Sequence, residues 1–199
     1  EAEGFVAEVE SMLRAAHDRL KASFGDTGKE EHDGAIPRST GAEVITAVAN
    51  EKLLELNEAL LETPEEFTVH PKLARQLERR RTAVEEGGID FGHAETLAYA
   101  SLLVDGIPVR LTGQDVQRGT FAQRHLVLHD HRTNETYTPM QHLDNAAASF
   151  EVFNSPLSEY ACVGFEYGYS AAAPEALVIW EAQYGDFANG AQIVIDQFI

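Results

Sequence analysis

Phe150-Glu-Val-Phe-Asn-Ser-Pro-Leu-Ser-Glu-Tyr-Ala-Cys-Val-Gly-Phe-Glu-Tyr-Gly-Tyr-Ser-Ala-Ala-Ala-Pro-Glu-Ala-Leu-Val-Ile-Trp180 decides the fold. Phe150–Phe153 reads as a short strand. Ser158 is a ready cap for a helix running to about Ala172, which Pro174 ends. Leu177–Trp180 is apolar without interruption and is expected to be a buried strand. Strand, helix and strand in one short run are the unit of an α/β domain with a mainly parallel sheet.

Working outward, the same alternation continues on both sides. Val109–Leu111 and Leu126–Leu128 read as further short strands, and Thr133–Glu135 as a turn. Asp90 can cap a helix of about 91–105. Downstream, Asp186 is expected to cap a last helix that is still running at Ile199. That helix has no C-cap and residue 1 is not Met, so a fragment of a longer protein is expected.

Upstream the texture changes. Phe5, Val9, Leu13, Ala16 and Leu20 follow three- and four-residue spacing, which predicts an amphipathic helix over 3–23. The polar stretch from Gly25 to Gly41, with Pro37, reads as a linker. A helix over about 48–62 follows and stops before Pro64. Pro71 suits the first turn of a third helix to about Glu86, which Gly87–Gly88 ends. The expected division is a helical segment over 1–89 and an α/β domain over 90–199.

Composition narrows the function classes. The 199 residues carry a net charge of −18, which argues against a nucleic-acid backbone or an anionic membrane as a large-area partner. No apolar run is long enough for a membrane span. A single cysteine, Cys162, excludes a disulfide framework and a Cys-based zinc site, and its apolar neighbours place it in a core. No lysine follows Lys72, so the α/β half has no Schiff-base candidate. No G-x-G-x-x-G or phosphate-binding Walker loop occurs. Gly164 and Gly168 are expected to allow close helix–sheet packing. Ser158 lacks a nucleophile elbow.

Some motifs have bland readings. His129-Asp130-His131 sets two imidazoles on one side of a strand, but no third ligand is nearby, and it reads as a polar hairpin end. Gly185-Asp186-Phe187-Ala188-Asn189 only faintly resembles a metal–diphosphate motif, and no metal site is expected. Three features remain. Gly113-Gln-Asp-Val-Gln-Arg-Gly-Thr-Phe-Ala-Gln-Arg-His125 follows a strand at its carboxyl end, where α/β ligand sites gather. Glu159 opens a helix, where a carboxylate either compensates the dipole or does chemistry. Trp180-Glu-Ala-Gln-Tyr-Gly-Asp-Phe187 puts aromatic residues past a strand end, where they fill a core or stack on a flat ring.

These stretches, together with Tyr137-Thr-Pro-Met-Gln-His142, Asn154-Ser-Pro-Leu-Ser-Glu-Tyr160 and Val163-Gly-Phe-Glu-Tyr-Gly-Tyr-Ser170, resemble the thiamine-diphosphate-dependent component of 2-oxoglutarate dehydrogenase. The likeness runs in order from about Phe67 to Ile199. Phe67-Thr-Val-His-Pro-Lys-Leu73 and Leu77-Glu-Arg-Arg80 resemble the helical segment that precedes this domain in the family, while residues 1–45 match only in general character.

The resemblance implies a truncated transketolase-type domain that holds the aminopyrimidine of thiamine diphosphate. Glu159 matches the family's activating glutamate. An acid bonded to a pyrimidine nitrogen shifts protonation so that the exocyclic amine can take the thiazolium proton. Tyr184 and Phe187 fall in the stretch that stacks on the ring. Gln114, Asp115 and His125 lie in the loop that faces the active site, with His125 a catalytic candidate.

The resemblance further implies oxidative decarboxylation of 2-oxoglutarate and succinyl transfer to a lipoyl-bearing dihydrolipoamide succinyltransferase. It also implies a homodimer, a cytoplasmic or mitochondrial setting, and Mg2+ and diphosphate bound by a domain outside this chain. The 199 residues alone are then expected to be inactive. A 2-oxoadipate-acting relative, a non-oxidative 2-oxoglutarate decarboxylase and a non-enzymatic acidic docking module are the competing readings.

Overall fold

A computed structural model describes residues 2–25 and 45–199. Chain contacts divide it into two units, Glu1–Ile45 and Thr46–Ile199. The first unit holds α1 (Ala2–Gly25), as the spacing of Phe5, Val9 and Leu13 predicts. Apart from Gly25, the expected linker lies outside the described residues.

The second unit opens with three helices, α2 (Asn50–Leu61), α3 (Pro71–Glu86) and α4 (Phe91–Val104). Pro71 occupies the first turn of α3, where a missing N–H costs nothing. The Lys72 N–H there donates to the His70 imidazole at 3.2 Å. Asp90 caps α4 as expected, accepting the His93 N–H at 2.7 Å.

Then come β1 (Val109–Gly113), the two-residue strands β2 (Leu128–His129) and β3 (Thr136–Tyr137), and β4 (Phe150–Asn154). α5 (Glu159–Ala172), β5 (Leu177–Glu181) and α6 (Gln192–Phe198) complete the unit.

The expected parallel sheet is present. Its order is β4-β1-β5, with all pairs parallel and in one register, so Gly113 faces both Asn154 and Glu181. Val109 and Leu111 turn to one face and pack with Phe150, Val152, Leu97 and Leu103 and with Leu56 and Leu60 of α2. Leu103 and Leu111 have no exposed surface, which is worth about 1.5–3 kcal/mol each. Arg110 and Thr112 turn to the other face, under α5. Val163, Ala191 and Val194 form a second small cluster there with Trp180 and Ile195. The buried unit therefore begins well before residue 90, because α2 contributes to the same core as the sheet.

Several expectations are corrected. β5 is an edge strand and its residues are half-exposed, with Leu177 37% exposed. An apolar run reports that both faces meet something, not that a neighbour stands on each side. The Ser158 hydroxyl makes no cap bond at the start of α5. Asp186 does not begin the last helix. It opens a single 3-10 turn (Asp186–Ala188), and α6 starts only at Gln192. Gly164 and Gly168 do not serve close packing with the sheet: a Cβ at Gly164 would meet only Val194 at 3.9 Å, and one at Gly168 would meet nothing within 4 Å. The strand expected over Leu126–Leu128 shrinks to Leu128–His129, because Leu126 bonds back to the Gln117 carbonyl at 2.8 Å.

His129-Asp130-His131 is a hairpin end, as expected. β2 and β3 pair antiparallel, and the buried Asp130 carboxylate accepts the N–H groups of Thr68, Arg132 (2.7 Å) and Thr133 (2.8 Å). These bonds hold its pKa down at about 2, the Thr68 N–H contributing most.

Candidate functional site

The three parallel strands end together at Gly113, Asn154 and Glu181, and the segments after these ends carry the candidate residues. β1 must end in glycine. A Cβ at position 113 would stand 2.7 Å from both the Glu181 carbonyl oxygen and Val116 Cγ1. That close approach lets the chain turn at once into the segment 114–125. Asn154 ties this segment to β4: its side chain accepts the Gln117 N–H at 3.0 Å and donates to the Gln117 side-chain oxygen at 3.1 Å.

Arg124 anchors the far end of the same segment. It is 3% exposed and lies between Glu95 of α4 (2.6 Å from Nε) and Glu181 at the end of β5, and it also bonds the Val116 carbonyl at 3.2 Å. Tyr99 donates to Glu95 at 3.0 Å. Burial works against the charge of Arg124, but the two carboxylates outweigh it and hold its pKa above the ordinary arginine value. Burial, with Glu95 adding to it, pushes the Tyr99 hydroxyl up. In the sequence Arg124 is simply one residue of the Gly113–His125 stretch. The signal for its burial was absent locally, since both partners are distant in the chain.

A second buried ion pair was missed outright. Arg110 of β1 holds Glu166 of α5 and Glu151 of β4, and its guanidinium lies over the rings of Phe153, Phe165 and Tyr169 at 4.7–5.3 Å. An arginine between Val109 and Leu111 in a central strand was the available clue, because such a charge must be paired.

Glu159 stands in the first turn of α5, half-buried, beyond the carboxyl end of β4. Its carboxylate makes no hydrogen bond or ion pair among the described residues, and it lies close to Gly190, where an added Cβ would stand 2.8 Å from Oε2. Gln114 and Asp186 meet at 3.5 Å. Asp186 also accepts the Gln183 N–H at 3.0 Å, and Gln183 returns a bond to the Gln114 carbonyl at 3.1 Å. The Asp186 carboxylate thus closes a turn where a helix cap was expected.

Asp115, in the left-handed backbone region with φ 57°, pairs with Arg118. Tyr184, also left-handed with φ 42°, is 86% exposed and touches Phe121 edge-on with centroids 6.5 Å apart. Phe187 is 54% exposed and borders a groove with Trp180 and Val163. Within the described residues neither ring fills a core.

His125 lies elsewhere. It lines a cavity of about 30 Å³ with Asn57, Arg80 and His93, whose lining includes none of the other candidate residues. Burial and then the Arg80 charge push its pKa down. His93 is likewise lowered, by burial first. The Asn57 amide nitrogen donates to the carbonyls of Arg80 and Arg81, so its oxygen accepts from His93 Nε2 at 2.8 Å. No group of three or more His, Cys, Asp or Glu able to hold a metal occurs among the described residues. None of the described helices is long and apolar enough to cross a membrane.

The parallel sheet β4-β1-β5 and its helices define an α/β domain, and the acid without a partner among the described residues stands at the carboxyl ends of its strands, where ligand sites of such domains gather. The family model of the transketolase pyrimidine-binding domain matches residues 87–199, and the chain belongs to that family. It is 51% identical over 201 aligned residues to the "2-oxoglutarate dehydrogenase E1 component" of Bacillus mycoides (strain KBAB4), and 50% identical over 202 to that of Geobacillus kaustophilus (strain HTA426). Each alignment covers 96% of this chain and 21% of the relative, so the chain spans about a fifth of the length of these relatives.

Proposed function

We propose that this chain forms part of the thiamine-diphosphate-dependent component of a 2-oxoglutarate dehydrogenase complex. That component decarboxylates 2-oxoglutarate and passes the succinyl group to a lipoyl arm of dihydrolipoamide succinyltransferase. The reading rests on the relatives' names and on one observation: the Glu159 carboxylate has no partner among the described residues.

The residues fit the aminopyrimidine. A half-buried acid free of ion pairs can share a proton with a ring nitrogen, which a carboxylate already engaged by arginine cannot. Tyr184 and Phe187 offer ring faces that stay exposed among the described residues. When bound, thiamine diphosphate supplies the nucleophilic carbon and the electron sink that decarboxylation of a 2-oxo acid requires.

The chain's own work is narrower. Glu159 holds a proton at the pyrimidine. Tyr184 and Phe187 cover the ring. Gln114, through Asp186 and Gln183, fixes the segment beside it, and Asp115 belongs to the same wall of the site, whereas His125 lines a separate cavity and takes no part in this wall. In this reading residues 1–89 are a helical inter-domain segment and 90–199 the pyrimidine domain. Mg2+ is held by another domain, the assembly is a homodimer, and the setting is the bacterial cytoplasm.

The test uses the full-length enzyme carrying this chain and its Glu159→Ala variant. Calorimetry measures thiamine-diphosphate binding with magnesium, and decarboxylation of 2-oxoglutarate is assayed alongside. The variant is expected to fold and to lose turnover by about 100-fold or more. A parent that neither binds cofactor nor turns over 2-oxoglutarate overturns the reading in favour of a docking module.

A further inference from the structure

The run Gly185-Asp186-Phe187-Ala188-Asn189-Gly190 ends against the acid. A Cβ built on Gly190 would stand 2.8 Å from Glu159 Oε2, 3.6 Å from its Cβ and 3.7 Å from its Cδ. Those are the three nearest atoms, and all belong to Glu159. The backbone at Gly190 is not in the left-handed region, so a larger residue meets no conformational barrier there. The closest of these approaches, to Glu159 Oε2, is tighter than a real Cβ contact allows, so Glu159 is what a side chain at 190 would displace first.

We propose that Gly190 is a positioning residue for the Glu159 carboxylate. Two features make the wall stiff and the acid soft. Gly190 sits between the turn closed by Asp186 and the fully buried Ala191, and Ala191 N–H reaches back to the Asp186 carbonyl at 3.4 Å. Val194, one turn on, packs in the cluster that also holds Val163 of α5.

The Glu159 carboxylate, by contrast, has no hydrogen bond among the described residues to resist displacement. A methyl group at 190 would leave the backbone in place and push the carboxylate away. The substitution is therefore cheap for folding and costly for whatever the carboxylate must reach. The Asp186 turn, the buried Ala191 and the bare Gly190 together form a fixed stop for a movable acid.

The inference deepens the proposed function and rests on Glu159 acting on a bound pyrimidine. Its test is a double-mutant cycle in the full-length enzyme with Gly190→Ala, Glu159→Ala and the pair. Three quantities are read: the thermal midpoint, thiamine-diphosphate affinity with magnesium by calorimetry, and turnover of 2-oxoglutarate. Gly190→Ala is expected to shift the midpoint by less than about 2 °C. It should weaken cofactor binding and lower turnover by about 10- to 100-fold, the scale of a small misplacement of a catalytic group. In the Glu159→Ala background the same change should alter neither affinity nor turnover.

An equal effect of Gly190→Ala in both backgrounds overturns the assignment, as does failure of Gly190→Ala to fold, since either outcome makes the glycine a packing residue. Wild-type behaviour of Gly190→Ala beside an inactive Glu159→Ala removes the positioning role and leaves the proposed function standing. Wild-type behaviour of Glu159→Ala removes the proposed function itself.

Discussion

Arg110 and Glu166 meet through two parallel hydrogen bonds, 2.8 Å from Nε and 3.0 Å from a terminal nitrogen, across the interface between β1 and α5. Both side chains are nearly removed from water, at 13% and 5% exposure. This bidentate contact raises the Arg110 pKa, the Glu166 hydrogen bond being the largest cause.

Removing Glu166 leaves Arg110 held by Glu151 alone. Glu166→Ala should therefore cost about 3 kcal/mol, the lower end of the range for breaking a buried pair. A urea titration of the variant checks this. A shift of the midpoint corresponding to less than about 1 kcal/mol would show that Glu151 and the three aromatic rings suffice for the guanidinium.

Arg124 holds two carboxylates at once and reaches the Val116 carbonyl besides. Lysine keeps the charge but has no planar fork to span Glu95 and Glu181. Arg124→Lys should destabilise the fold by about 2–4 kcal/mol and speed amide exchange across residues 114–125 before it affects α4. Uniform acceleration over the whole domain would mean that the arginine supports the core and not this segment.

Asp130 makes stability depend on pH in a defined window. Its folded pKa of about 2 lies below the ordinary value of 3.8, so the folded state favours the charged form. Its contribution is present above the ordinary value and is lost as pH falls toward 2. Asp130→Asn should be less stable than the parent at neutral pH, with the gap closing between about pH 4 and pH 2. Urea midpoints of both proteins at several pH values measure that gap, and a constant difference would rule the mechanism out.

The local signals were legible and the long-range ones were not. Pro71, Asp90 and the apolar run at Phe150 marked element boundaries because each acts within a turn or two of itself. The parallel sheet followed from the strand–helix–strand order. The edge position of β5 did not, because apolar continuity is the same for a strand with one neighbour or two. Asp186 looked like a cap because its carboxylate precedes a helical run. Its partners are Gln183 and, across 72 residues, Gln114.

The candidate site divided in the same way. The family resemblance points to Glu159, Tyr184 and Phe187, and among the described residues Glu159 has no ion pair and the two rings stay exposed. His125 was grouped with Gln114 and Asp115 by sequence nearness, but its left-handed backbone, φ 52°, goes with a place in a different cavity. Gly190 had no signal at all, since a glycine's neighbour is visible only in space.

The buried arginines give the α/β region an unusual response to trypsin. Beyond residue 90 the chain offers only Arg110, Arg118, Arg124 and Arg132 and no lysine. Arg110 and Arg124 are locked in ion pairs, whereas Arg118 and Arg132 are exposed. Cleavage after Arg118 and Arg132 therefore samples the native surface, while cleavage after Arg110 or Arg124 requires the sheet to open. The ratio of these fragments is a built-in gauge of unfolding that needs no label.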